Sequence, residues 1–312
     1  MIGLVTGANG FIGRRLIKTG DRAMVRSPGV IAGTVVGDLL DISSLARACQ
    51  GVDTVYHCAG YAHAFNNSNP EAHWRINYDG TKNLLKAAGE AGVKRFIFLS
   101  SIKAMSEPGD QCVDENWPGE PKTPYGKAKR AAEIAVLGDG AKYGMHVVNL
   151  RLAMVYGKGG KGNLERMARG IQSGWFPPLP ETGNKRSLVY VDDVVGAIQL
   201  VAKRPEANGR TYIVADAQPY SGREIYEAIR IALKKPGFRW CVPASLLHTC
   251  GHIGDVLGNV LRRPLPLNSE AISRLLDSAC YSPAQIEREL GWKARTGLVE
   301  GIQEMLGNEA RI

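Results

Sequence analysis

Tyr125-Gly126-Lys127-Ala128-Lys129 sets a phenol and an ammonium four residues apart. On a helix those two positions share a face, so the Lys129 cation can lower the Tyr125 pKa. A phenol that titrates near ~10 needs such a shift to exchange protons at neutral pH. Read alone, the pair is better explained as a surface Tyr and Lys on a basic helix. A second polar group stands upstream, where Ser100-Ser101 closes the apolar run Arg95–Leu99. A serine hydroxyl at the carboxyl edge of a strand can hydrogen-bond a substrate carbonyl and fix its position. Asn77 opens the helical stretch between 77 and 91.

The amino terminus offers a different chemistry. Gly7-x-x-Gly10-x-x-Gly13, with Phe11 and Ile12 inside it, directly follows the apolar run Gly3–Thr6 and opens a helix. Glycines so placed permit a tight turn, a close backbone approach to pyrophosphate and close helix–strand packing. The helix N-terminus supplies free N–H groups and a positive dipole to the phosphates. Asp38, followed by Leu39, succeeds a strand and can accept a hydrogen bond from an adenine amino group; it reads equally as a local cap. Ala59 and Gly60 end the strand Thr54–Cys58, where small residues let a nucleotide lie against the backbone. An acid at the end of the second strand would hold ribose hydroxyls. The sequence carries Arg26-Ser27 there, with Arg14 and Arg15 after the third glycine. Cations at these places suit a 2′-phosphate and favour NADP(H), with NAD(H) the alternative.

These groups need a scaffold that brings strand ends together. Short apolar strands at Gly3–Thr6, 22–26, 34–38, 54–58, 95–99 and 147–152 alternate with helices at 43–49, 77–91 and 125–137. Such alternation predicts an α/β fold with a doubly wound parallel sheet, which binds ligands at the carboxyl ends of its strands. Beyond Val155 the pattern loosens into a Gly- and Lys-rich loop at 157–163 and a Pro-rich segment at 175–182. Helices follow at 192–203, capped by its aspartates, and at 221–234, 244–260 and 269–276. The expected organisation is a dinucleotide-binding domain, 1–156 plus about 187–215, with a smaller, interleaved C-terminal substrate domain, 157–186 plus 216–312.

Composition excludes other classes. The 312 residues are 44% hydrophobic and 22% charged, as in a globular protein and unlike a disordered chain or coiled coil. No apolar run approaches the ~18 residues of a spanning helix, and the start lacks a basic n-region and cleavage site. The expectation is a cytoplasmic protein with no membrane partner. The six cysteines form no CxxC pair, which predicts reduced structural thiols and no metal. Net charge is +9, but Lys and Arg are dispersed, so a phosphorylated small molecule accounts for them and nucleic acid is not expected.

The glycine spacing, Ser101, Tyr125 and Lys129 in that order, and Asn77 in Asn77-Tyr78-Asp79-Gly80-Thr81 together resemble the extended short-chain dehydrogenase/reductases, also called the NAD-dependent epimerase/dehydratases. The resemblance covers essentially the whole chain. It implies a Rossmann-type fold and hydride exchange between a nicotinamide and a substrate carbon bearing OH or C=O. Ser101-x-x-Ala104-Met105-Ser106 sits where the family has S/T-x-x-V-Y-G. Ser101 would then be the catalytic serine, Tyr125 the acid/base, Lys129 its partner that also holds the ribose, and Asn77 the structural asparagine. Ile102-Lys103 stand where a dehydratase carries its acid/base pair, so dehydration is not expected.

Arg151-Leu152-x-x-Val155-Tyr156-Gly157 is similar to a family strand–loop, and Asn163-Leu164 then fit the loop that binds a nucleotide-sugar. Arg186, in Lys185–Asp193, resembles the family's phosphate-contacting arginine, and Arg274 is a second such position. Lys103 and His63 are pocket candidates without an assigned role. Within the family the chain looks most like bacterial UDP-sugar enzymes of polysaccharide synthesis. The expected activity is 4-keto reduction of a UDP-4-keto-6-deoxy-hexose or N-acetylhexosamine. The alternatives are a 4-epimerase with retained NAD, a 3β-hydroxysteroid- or dihydroflavonol-type dehydrogenase, and last a non-catalytic NADP-binding regulator. The resemblance also implies a possible homodimer through helices 77–91 and 125–137.

Overall fold

The computed structural model describes residues 2–27, 33–61, 69–237, 240–261, 265 and 268–307; His63 lies outside them. The first half runs β1 (Gly3–Thr6), α1 (Gly13–Leu16), β2 (Arg22–Val25), β3 (Thr34–Val36), α2 (Ile42–Cys49) and β4 (Thr54–His57). Then come α3 (Pro70–His73), α4 (Gly80–Glu90), β5 (Arg95–Ser101), β6 (Cys112–Val113), α5 (Pro124–Lys142) and β7 (His146–Leu152). The second half contains β8 (Met154–Tyr156), α6 (Asn163–Gln172), β9 (Leu188–Tyr190), α7 (Val191–Val201), β10 (Arg210–Val214), α8 (Gly222–Ala232) and α9 (Ala244–Val260). It ends with α10 (Ser269–Leu276), β11 (Cys280–Tyr281), α11 (Ala284–Leu290) and α12 (Leu298–Leu306).

Seven strands form one parallel sheet in the order β10-β7-β5-β4-β1-β2-β3. The winding reverses between β1 and β4, which opens a crevice at their carboxyl ends. Helices cover both faces, so strand residues such as Leu4, Val5, Phe96, Ile97 and Phe98 are fully buried. A second apolar core joins α6, α8, α10 and α12 around β8 and β9, with Leu164, Ile171, Tyr226, Ile229, Ile272 and Ile302 inside it.

Helix starts follow side-chain caps. Asp41 accepts the Ser43 and Ser44 amides at α2, and Thr123, ahead of Pro124, accepts the Gly126 amide at α5. Three expectations are corrected. The first-turn aspartates of α7 do not cap it: Asp192 pairs with Arg15, and Asp193 accepts the Arg295 and Thr296 amides. Helix α5 passes through Gly138 and Gly140 to Lys142, beyond the expected end at Leu137. Gly140 is there because the helix lies against β7; a Cβ would come within 2.2 Å of the Val147 side chain. The thiols are not all reduced: Cys112 and Cys280, register partners of β6 and β11, form a disulfide, while Cys49, Cys58, Cys241 and Cys250 are free. Among the described residues no helix is long and apolar enough to cross a membrane.

Candidate active site

The glycine loop is shaped by close backbone approach. Gly7 has φ +64°, and a Cβ on it would lie 2.9 Å from the Ala59 backbone. A Cβ on Gly13 would lie 2.3 Å from the Gly7 carbonyl, and one on Gly10 2.9 Å from it. The backbone of 7–13 is thus pressed onto the ends of β1 and β4, and α1 starts from it, as a dinucleotide pyrophosphate requires. Beneath it Thr6 Oγ1 accepts the Ala59 amide and meets His57 Nδ1, whose Nε2 meets Thr81 Oγ1. Burial of His57 drives its pKa down to about 3, helped by the Lys129 charge, so the ring is neutral.

Tyr125 and Lys129 lie one turn apart on α5, facing the end of β5. Ser101 hydrogen-bonds the Tyr125 phenol. Burial nevertheless pushes that phenol up to about 12, with only the Ser101 bond opposing it. The expected lowering by Lys129 is not what sets its pKa in the protein alone. The Lys129 ammonium donates to the Leu99 carbonyl at 2.8 Å and lies 4.5 Å from the Phe98 ring centre. Burial lowers its pKa to about 8, against the Glu133 charge. Asn77 sits in the π-helical turn Trp74–Asp79 and clamps Tyr61, accepting its amide and donating to its carbonyl. A Cβ on Gly60 would lie 3.0 Å from Asn77 Oδ1 and 3.6 Å from the Lys129 nitrogen. Gly60 therefore keeps open the space between those two polar groups, whose hydrogen-bonding character suits ribose hydroxyls.

Several residues that sequence reasoning missed support this group. Glu133, one turn beyond Lys129, accepts Ser100 Oγ at 2.5 Å and holds Arg151 through Nε and Nη2, with Arg151 and Glu133 side chains both 2% exposed. Burial pushes the Glu133 carboxyl up, while the two-point contact with Arg151 favours its charged form. The (i, i+4) spacing from Lys129 was a usable signal for Glu133. His73 packs its ring edge against Tyr125 at 5.7 Å and bonds the Tyr61 carbonyl; nothing in the sequence marked it.

A cavity of about 700 Å³, reached by Met154 just beyond β7, brings together Asn163, Leu164, Arg186 and Arg274. Arg166 and Arg169 line it as well, Trp175 and Phe176 give it an aromatic wall, and Glu270 is its acid. Among the described lining residues four guanidiniums stand against one carboxylate, which suits a diphosphate, and the aromatic wall suits a base. Arg186 is held by donating to the Asp277 carbonyl at 2.7 Å, and Arg274 pairs with Glu270. Lys103 is not brought to this cavity; it is exposed and pairs with Glu107 at 2.6 Å.

At the cofactor side, Arg26 is exposed and immediately follows β2, and Leu39 is buried under α4. Asp38 accepts the Leu40 amide at 2.8 Å. Phe11 and Ile12 are half-buried, and Arg15 donates to the Phe11 carbonyl. Arg14 and Arg15 donate to the Lys158 carbonyl, and Arg26 is the cation that directly follows β2.

A glycine-cradled crevice at the switch point of a parallel sheet, with Ser101, Tyr125 and Lys129 at its edge, defines a dinucleotide-dependent oxidoreductase of the short-chain type. The chain belongs to the NAD dependent epimerase/dehydratase family, whose profile matches residues 3–215. It is 30% identical to a UDP-glucose 4-epimerase of Vibrio cholerae over 96% of this chain and 93% of that protein. It is 26% identical to an N-acetyl-alpha-D-glucosaminyl-diphospho-ditrans,octacis-undecaprenol 4-epimerase of Escherichia coli over 98% and 94%. The crystal structure of the Thermus thermophilus UDP-glucose 4-epimerase in complex with NAD superposes with a TM-score of 0.73 at 25% identity, covering 98% of each chain. The protein is therefore an NAD-dependent enzyme of this family.

Proposed function

We propose that the protein inverts C4 of a UDP-hexose or UDP-N-acetylhexosamine and retains its NAD through the cycle. The observation that carries this is the cavity on which Arg166, Arg169, Arg186 and Arg274 converge, in a chain that also sets Ser101 against Tyr125. The two 4-epimerase relatives support it over nearly their full lengths.

A bound nicotinamide dinucleotide, held by the 7–13 backbone and Lys129, would supply the hydride acceptor and donor for the sugar carbon. Ser101 and Tyr125 both address the C4 oxygen. Tyr125 takes its proton as C4 is oxidised and returns it as the 4-keto sugar is reduced. Lys129 favours the phenolate once the space beside Gly60 is filled, because burial then strengthens its charge on the phenol. Inversion requires both faces of the 4-keto sugar to meet the same donor. Arg186 and Arg274 serve this by holding the diphosphate while the hexose turns. An apolar sterol offers the guanidiniums that line the cavity no acceptor, which disfavours the steroid reading.

A second reading is 4-keto reduction with exchangeable NADPH, and Arg26 at the end of β2 favours it. Cofactor extracted from the purified protein and identified by chromatography tests the two. NAD retained through dialysis supports the epimerase. An empty protein that binds NADPH well above NADH overturns it in favour of the reductase.

A further inference from the structure

Tyr61, His73 and Tyr125 form a row of three aromatic rings. The Tyr61 and His73 rings lie 5.0 Å apart, and His73 meets Tyr125 at 5.7 Å with the ring planes at 68°. Rings in such edge contact prefer one relative tilt, because the positive edge of one faces the negative face of the other. The middle ring is buried and anchored. His73 ends α3, whose start is capped by Asn69 accepting the Ala72 amide. Its Nδ1 reaches the Tyr61 carbonyl at 3.2 Å, and since a carbonyl only accepts, Nδ1 is the donor. Asn77 fixes the same Tyr61 through two further bonds, accepting its amide at 2.8 Å and donating to its carbonyl at 3.1 Å. Between His73 and Asn77 the backbone widens into the π-helical turn Trp74–Asp79, a rare geometry that recurs at functional sites.

Tyr125 lies in the first turn of α5, directly after Pro124, and its hydroxyl is hydrogen-bonded with Ser101. A bond at the tip of a ring lets the ring swing about it, and a contact at its side removes that freedom. We infer that His73 is a positioning residue for Tyr125: braced on the clamped Tyr61 backbone, its ring holds the phenol at one orientation beside Ser101. The inference rests on the proposed role of Tyr125 as the proton carrier at C4. Orientation matters in that role, because the phenol oxygen must meet the C4 oxygen in both half-reactions. A misplacement of ~1 Å lowers such rates by about 10²-fold. His73 acts through the ring it touches, and so belongs with the groups that orient the site.

Nuclear magnetic resonance of the full chain carrying tyrosine labelled with carbon-13 at Cζ tests this without turnover, since that shift follows hydrogen bonding of the phenol oxygen. The Tyr125 resonance is the one lost in Tyr125→Phe. It is expected to move or broaden in His73→Ala and in His73→Asn, which keeps a donor for Tyr61 but no ring. In His73→Phe, which keeps an aromatic ring, it should move less. A Tyr125 resonance that stays in place in whichever of these variants fold overturns the inference. Turnover gives the second readout. His73→Ala is expected to lower kcat for UDP-hexose epimerisation by about 10–100-fold with KM little changed. In Tyr125→Phe the same change should cost nothing further, because a residue that acts through the phenol hydroxyl has nothing left to act on. Equal losses in both backgrounds would make His73 a packing residue and overturn the inference. If the unaltered protein epimerises no UDP-sugar, the proposed activity fails, while the Tyr125 resonance still decides the role of His73.

Discussion

Tyr125→Phe removes one oxygen atom and keeps the ring that packs against His73. Turnover is expected to fall about 10²–10⁴-fold with the melting temperature unchanged, measured by product chromatography and thermal denaturation. His57 gives a pH signature of its own. Its folded pKa lies near 3, below the usual 6.5, so its contribution to stability is complete above about pH 6.5 and shrinks as pH falls toward 3. The loss is about 1.4 kcal/mol per pH unit in that window. Urea denaturation between pH 7 and 5 should show a steeper fall for the unaltered protein than for His57→Gln. The spacing of Ser101, Tyr125 and Lys129 was legible because a helix turn and a strand end are local features. Glu133 and Arg151 were harder to connect. Their contact depends on α5 lying over β7 and on the register that sets Ser100 beside Arg151, which no local spacing encodes.

The strands and helices of the nucleotide half were legible for a similar reason: short apolar runs punctuated by glycine, and caps such as Asp41 and Thr123, act within a few residues. The end of α5 was not legible, since Gly138 and Gly140 follow Leu137 and glycine ordinarily ends a helix, whereas Gly140 lets α5 approach Val147. The β6–β11 pair could not be read, since two-residue strands 168 residues apart leave no periodic trace. Their disulfide ties the segment after Ser101 to the segment beside Arg186, because Ala279 accepts the Ser187 amide. Denatured, unreduced protein is expected to titrate four thiols and reduced protein six. Reduction should destabilise the fold by about 2–5 kcal/mol in urea denaturation. Six thiols without reductant would contradict the bond.

Across the whole molecule, the cofactor crevice was readable from the first thirteen residues, because glycine spacing directly after a strand specifies backbone geometry. The proposed substrate cavity was readable only in part. Asn163, Leu164, Arg186 and Arg274 meet there as expected, whereas Arg166, Arg169 and the Trp175–Phe176 wall come from a helix face and a Pro-rich segment that show no pattern until folded. Arg186→Ala should raise KM for a UDP-hexose about 10–100-fold with kcat little changed, since its contact with the diphosphate is the same before and during the reaction. An unchanged KM would remove Arg186 from the diphosphate site. The most direct test of the account is incubation of the purified, dialysed protein with UDP-glucose or UDP-N-acetylglucosamine and no added cofactor, with products separated by chromatography. The account predicts conversion to the C4 epimer with no net accumulation of reduced nicotinamide. No epimer from either sugar, with added NAD failing to restore it, would contradict it.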